Sequence, residues 1–164
     1  MERFLNNNKS GRDIGQLLLD SHLTMATAES CTGGTIASMV TAVAGSSGYF
    51  RGGIVSYAAQ VKEEVLGVTL RQGIVSEDTA LQMARGAARV CKADCAVATT
   101  GVAGPGSSDG CAQGTVCIAA CLGDDETAHT FMFNGEREDV ILQAADAALC
   151  MLADLIRTKN EKSR

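Results

Sequence analysis

Proline occurs once in the 164 residues, aromatic side chains make up only 4% of them, and there are two histidines. A single proline beside 18 glycines, with a mean hydropathy of +0.08, excludes a Pro-rich linker, a collagen-like fibre and a chain too polar to collapse. No apolar run approaches the roughly 20 residues of a membrane-spanning helix. Met1 to Arg12 lacks the apolar centre of a secretion signal, so a cytoplasmic protein without membrane association is expected. An excess of positive charge is also missing. Fourteen Lys and Arg against 19 Asp and Glu leave a net charge of -5, and the isoelectric point is near 5.0. Nucleic acid is therefore not an expected partner, because phosphate contacts need a basic face. What remains is a chain 46% hydrophobic, long enough to bury roughly 70% of its unfolded surface as one domain, residues 1–164 with a core at about 13–157.

Cysteine is the one residue in surplus. Seven of them, an odd number without a secretion signal, do not make a disulfide framework. The spacings Cys91-x3-Cys95 and Cys117-x3-Cys121 differ from those of zinc ribbons and fingers, and two histidines add little imidazole. We read the cysteines as buried, reduced thiols and expect no metal and no cofactor.

Ile14, Leu17 and Leu18 predict an amphipathic helix over 13–22, and Thr24–Ala28 a buried strand. Ser30–Val43 predicts a second helix that Ser30 or Thr32 caps, Ile54–Ala58 a second strand, and Val61–Leu66 a short helix stopped by Gly67. A helix over 76–91 begins at Ser76, with Glu77 and Asp78 in its first turn. Ala93–Thr100 is a third strand; Thr115–Leu122 and Thr127–Phe133 form an antiparallel pair, and a long helix covers Glu136–Arg157. Helices alternating with apolar strands imply an α/β fold: a three-layer α/β/α sandwich on a mixed, mostly parallel sheet of about five strands.

Ligands of such sheets gather at the carboxyl ends of the strands. Three polar clusters fall there: Glu29–Gly34, Tyr57–Lys62 and Thr99–Gly106. Ser30 at a helix start is either its cap or a nucleophile whose developing oxyanion the free N–H groups would stabilise. Lys62, five residues beyond Tyr57, is either a solvated helix lysine or a general base whose pKa falls on burial, with Tyr57 relaying a proton or holding the nucleophile. The Gly101–Gly114 loop fits neither a P-loop nor a dinucleotide fingerprint and serves equally as a tight turn or an anion cradle.

A resemblance chooses among these alternatives. Thr27-Ala28-Glu29-Ser30-Cys31-Thr32-Gly33-Gly34, Gly53-Ile54-Val55-Ser56-Tyr57, Lys62 with Leu66-Gly67-Val68, Gly73-Ile74-Val75-Ser76, Thr100-Gly101-Val102-Ala103-Gly104-Pro105 and Gly114-Thr115-Val116 together resemble the CinA C-terminal domain family. Its members include stand-alone nicotinamide-nucleotide amidases. The resemblance implies metal-free hydrolysis of nicotinamide mononucleotide to nicotinate mononucleotide and ammonia, with Ser30 as nucleophile, Lys62 as base and Tyr57 as third catalytic group. It implies that Thr32, Gly33 and Gly34 form the oxyanion turn, that Gly101, Ala103 and Gly104 contact the nucleotide, and that Arg137 meets its phosphate. It also implies a homo-oligomer. The sequence departs from the family at Ala58-Ala59, where Ser-Asn is usual, and at Ile141, where an arginine is common. An alternative role, as a catalytically weak or inactive nucleotide-binding or competence- and damage-associated interaction module, follows from the missing asparagine.

Overall fold

A computed structural model describes residues 8–162. Five strands, β1 (Met25–Glu29), β2 (Phe50–Val55), β3 (Cys95–Gly101), β4 (Thr115–Leu122) and β5 (Asp125–Met132), form one sheet in the order β2-β1-β3-β4-β5. β1 pairs in parallel with β2 and with β3, whereas β3–β4 and β4–β5 are antiparallel. Four of the five strands thus run one way. The mixed sheet carries α1 (Lys9–Asp20), α2 (Thr35–Thr41) and α5 (Arg137–Lys162) on one face, and α3 (Ala59–Leu66) and α4 (Glu77–Cys91) serve the other.

Strand alternation sends two kinds of side chain to the two faces. Met25, Val97, Val116, Ile118 and Leu122 point toward α1, α2 and α5, where Ile14, Leu18, Leu149, Leu152 and Ile156 fill a core of large aliphatics. The opposite face is built from Ala26, Ala28, Ala96, Ala98, Ala119, Cys117 and Cys121, against Ala80, Met83, Ala84 and Ala87 of α4. Small residues on both sides let α4 lie close on the sheet. Four of the seven cysteines, Cys31, Cys95, Cys117 and Cys121, are buried and reduced. Cys91 and Cys111 are half-buried and Cys150 is exposed, which corrects the expectation of uniform burial: Cys150 lies on the outward face of α5.

Several boundaries move for physical reasons. Asn8 starts α1 early by accepting the Gly11 N–H (3.2 Å), and β2 begins at Phe50 because its pairing with β1 reaches back to Met25. β2 also ends at Val55, so Ser56 and Tyr57 lie beyond the strand instead of finishing it. The largest correction is α2. It opens at Thr35, five residues after Ser30, because Gly33 and Gly34 take φ of 59° and 100° and make a turn no helix can include. Neither Ser30 nor Thr32 caps it. Ser76 does cap α4 as expected, accepting the Thr79 N–H at 3.1 Å. Among the described residues no helix is long and apolar enough to cross a membrane.

The close approach of α3 and α4 is tightest at Gly86, where an added Cβ would lie 2.4 Å from the Leu66 carbonyl oxygen. Gly86→Ala gains about 1 kcal/mol in helix propensity but forces backbone apart. We expect a net loss of about 1–3 kcal/mol from overpacking, measured as a lower denaturant midpoint at unchanged m-value. An unchanged or raised midpoint would show that α3 yields at no cost.

Candidate active site at the carboxyl end of the parallel strands

Parallel pairing places the ends of β2, β1 and β3 side by side, with Glu29 opposite both Val55 and Thr99. The ladder continues past the strands. Ser30 N–H donates to the Thr99 carbonyl (3.0 Å), and Ser56 N–H donates to the Glu29 carbonyl (2.8 Å). These two bonds fix the backbone of Ser30 between its neighbours before any side-chain contact forms.

Lys62 reaches this point from α3. Its side chain is only 1% exposed, and Nζ lies 2.9 Å from Ser30 Oγ, 2.6 Å from the Ser56 carbonyl oxygen and 3.5 Å from the Tyr57 carbonyl oxygen. Burial lowers the Lys62 pKa below its ordinary value, while the Asp109 carboxylate pulls it back up to a lesser degree. Three oxygens accept from Nζ, and because two of them are carbonyls that can only accept, Ser30 Oγ is the partner that would meet the amine's lone pair once a proton is lost. No salt bridge to Lys62 occurs among the described residues.

The nearest carboxylate in sequence, Glu29, is engaged elsewhere. Its side chain is buried on the α2 face of the sheet. Oε2 accepts from Thr32 Oγ1 (2.7 Å) and from the N–H groups of Gly34 and Ile36 (both 3.0 Å), and Oε1 accepts from Ala37 N–H at 2.8 Å. Glu29 therefore caps α2 from outside the helix and holds the 31–34 turn against the sheet. Thr32 Oγ1 also meets Thr99 Oγ1 (2.8 Å), tying the turn to β3. The donors that the sequence offered for an oxyanion are largely spoken for: Gly34 by Glu29, and Gly33 by the Ser30 carbonyl at 3.1 Å. Sequence reading gave Glu29 no role, although a Glu at a strand end followed by a double glycine was the available signal.

A cavity of about 280 Å³ opens over Ser30. Cys31, Tyr57 and Ala59 line it together with Gly101–Gly106, Asp109 and Arg137. The structure thus gathers Ser30, Tyr57, Gly101, Ala103, Gly104 and Arg137 around one space, with Lys62 beneath Ser30; Thr32, Gly33 and Gly34 lie behind it. Tyr57 is 61% exposed, and its hydroxyl accepts from Arg137 Nη2 at 2.9 Å, not from Lys62 or Ser30. Arg137 also donates to the Gly104 carbonyl, bridging the loop to the Tyr57 rim. Cys31 at the cavity wall is no thiolate: burial pushes its pKa up to about 12. Among the described residues no three His, Cys, Asp or Glu side chains converge as a metal site would require.

With this geometry in view, the comparisons with known proteins are specific. The family model of the CinA C-terminal domain matches residues 7–156. The chain belongs to the CinA C-terminal domain family. A CinA-like protein of Flavobacterium psychrophilum is 44% identical over 144 residues, which cover 85% of this chain and 34% of that protein. A CinA-like protein of Geobacter sulfurreducens is 45% identical over 141 residues, covering 83% and 34%. The chain spans about a third of the length of these curated relatives. Among solved structures, the competence/damage inducible protein CihA from Agrobacterium tumefaciens superposes with a TM-score of 0.86 at 37% identity, covering 90% of this chain and 94% of that one. A CinA superfamily protein from Enterobacter cloacae gives 0.86 at 32% identity, covering 91% of each chain. The three-layer fold is therefore the fold of the CinA family.

Two measurements probe the buried charges. Glu29→Gln puts an NH₂ where an oxygen now accepts backbone N–H bonds, leaving a buried donor facing a donor. We expect a loss of about 1–3 kcal/mol in unfolding free energy, read by urea denaturation at pH 7. For Lys62 the sign follows from its lowered folded-state pKa. Between that value and the ordinary 10.5, the unfolded chain holds a proton the folded chain does not, so raising the pH favours folding. Lys62→Met removes this slope. The difference in stability between Lys62→Met and the parent should shift in the parent's favour as pH rises from 7 toward 10.5; a difference independent of pH would contradict burial of an ionisable amine.

Proposed function

We propose that the chain is an amide hydrolase that converts nicotinamide mononucleotide to nicotinate mononucleotide and ammonia, with Ser30 as nucleophile and Lys62 as general base. The observation that carries this reading is the 2.9 Å contact between Lys62 Nζ and Ser30 Oγ, made by an amine that burial has rendered less basic.

Lys62 takes the Ser30 hydroxyl proton as Oγ bonds to the carboxamide carbon, and the carbonyl electrons move to oxygen. The N–H groups of the Cys31–Thr32 turn are the donors we assign to that oxyanion, since Gly33 and Gly34 are already engaged. As the tetrahedral centre collapses, the C–N bond breaks and Lys62 returns the proton to the departing nitrogen, releasing ammonia. Lys62 then takes a proton from water, whose oxygen attacks the ester. Breaking of the C–Oγ bond frees the acid, and Ser30 regains its proton. The Ser56 and Tyr57 carbonyls hold the amine at a fixed position through the cycle. Tyr57 and Arg137 we assign to substrate positioning at the rim, because their hydrogen bond to each other orients both over the cavity.

Incubation with nicotinamide mononucleotide should yield ammonia and nicotinate mononucleotide, resolved by chromatography. Ser30→Ala and Lys62→Ala should each lower kcat at least about a thousandfold in a chain that remains folded by circular dichroism. The uncharged amine is the active form, so kcat/KM should rise with pH through the lowered Lys62 pKa and then level off. Thermal stabilisation by the nucleotide with no product over long incubation would instead favour the silent binding module.

A further inference from the structure

Two opposite charges line the cavity without neutralising each other. The Arg137 guanidinium donates to the Gly104 carbonyl and to the Tyr57 hydroxyl, both uncharged groups. Among the described residues the Asp109 carboxylate accepts from the neighbouring Ser108 hydroxyl alone, at 2.9 Å. No salt bridge among the described residues includes either one. A pocket that presents separated, uncompensated charges of both signs favours a ligand carrying both signs in the reverse arrangement. The mechanism above uses Arg137 but leaves Asp109 without a role.

We propose that Asp109 is a specificity-determining residue: it faces a positively charged ring while Arg137 faces an anionic group, so the cavity selects dipolar amides over amides with an uncharged ring. The proposal rests on the reading of Ser30 and Lys62 as an amide-cleaving pair. In nicotinamide mononucleotide the ring nitrogen carries the positive charge only three bonds from the carboxamide carbon. A charge that recognises the ring must therefore act close to the nucleophile. Asp109 meets that condition, since Asp109 and Ser30 line the same cavity. The loop also supplies the residue independently of the catalytic pair, because Asp109 lies between Gly106 and Gly110, outside both α3 and the turn that carries Ser30. The same charge opposes the carboxylate that hydrolysis creates, and so favours release of the acid product.

The test compares nicotinamide mononucleotide with its reduced form, in which the dihydropyridine ring is uncharged while phosphate and carboxamide are retained. Calorimetric titration of the Ser30→Ala variant removes turnover and the different reactivity of the two amides from the comparison. We expect the cationic-ring nucleotide to bind about fivefold tighter than the reduced one, in line with a partly exposed charge pair. Adding Asp109→Asn should abolish this ratio, whereas adding Arg137→Gln should weaken both ligands alike. Equal binding of the two nucleotides by the Ser30→Ala variant, survival of the ratio in Asp109→Asn, or no binding of either nucleotide overturns the proposal. Absence of ammonia release by the parent chain bears on the amidase reading instead, and the dissociation-constant ratio still decides the role of Asp109.

Discussion

Everything at this site depends on the parallel ladder that flanks β1. Because Glu29 lies opposite both Val55 and Thr99, the next residue of each strand emerges at the same level, and two further backbone bonds lock Ser30 to Thr99 and Ser56 to Glu29. That leaves the Ser56 carbonyl pointing at the position α3 fills with Lys62. A slip of one residue in either pairing would turn Ser30 to the opposite face of the sheet and separate it from the amine. The alanine-rich face under α4 belongs to the same constraint. Small side chains let α4, and with it α3, sit close enough for a lysine side chain to reach the strand end from beneath.

The electrostatic arrangement is one of separation. A buried amine next to a carboxylate would be held protonated and could not accept a serine proton. Glu29 is adjacent to Ser30 in sequence, yet its oxygens are taken by one hydroxyl and three backbone N–H groups on the far side of the sheet. Strand alternation is the reason: Glu29 and Ser30 are consecutive and point to different sides. The same carboxylate consumes the donors at the start of α2, so the positive end of that helix stabilises the protein's own glutamate in place of a reaction intermediate.

Much of this was legible in the residues and some was not. The polar clusters at 29–34, 57–62 and 99–106 announced strand ends because each follows an apolar stretch and contains residues that leave the ladder. Ser76 and Gly67 were readable as cap and stop for the same local reason, and both act so. Ser30 and Thr32 were misread as caps, since a serine or threonine ahead of a helical pattern looks the same whether its hydroxyl closes the helix or faces a pocket. What decides is the φ of Gly33 and Gly34, and glycine permits either sign. Tyr57 could be placed beside Lys62 by spacing, but spacing does not tell whether the hydroxyl or the carbonyl meets the amine. Here it is the carbonyl, and the hydroxyl turns out to Arg137, 80 residues away.

The sequence by itself determined the number and type of the layers and which three loops share one end of the sheet. These follow from periodicity and from local backbone preference, which act over a few residues. Only the tertiary structure decided that Lys62 is buried and less basic, that Glu29 serves α2 and not the amine, and that Asp109 and Arg137 share one cavity with Ser30. Desolvation and charge pairing depend on distances between residues far apart in the chain, and those distances exist only once strand register and helix packing have set them.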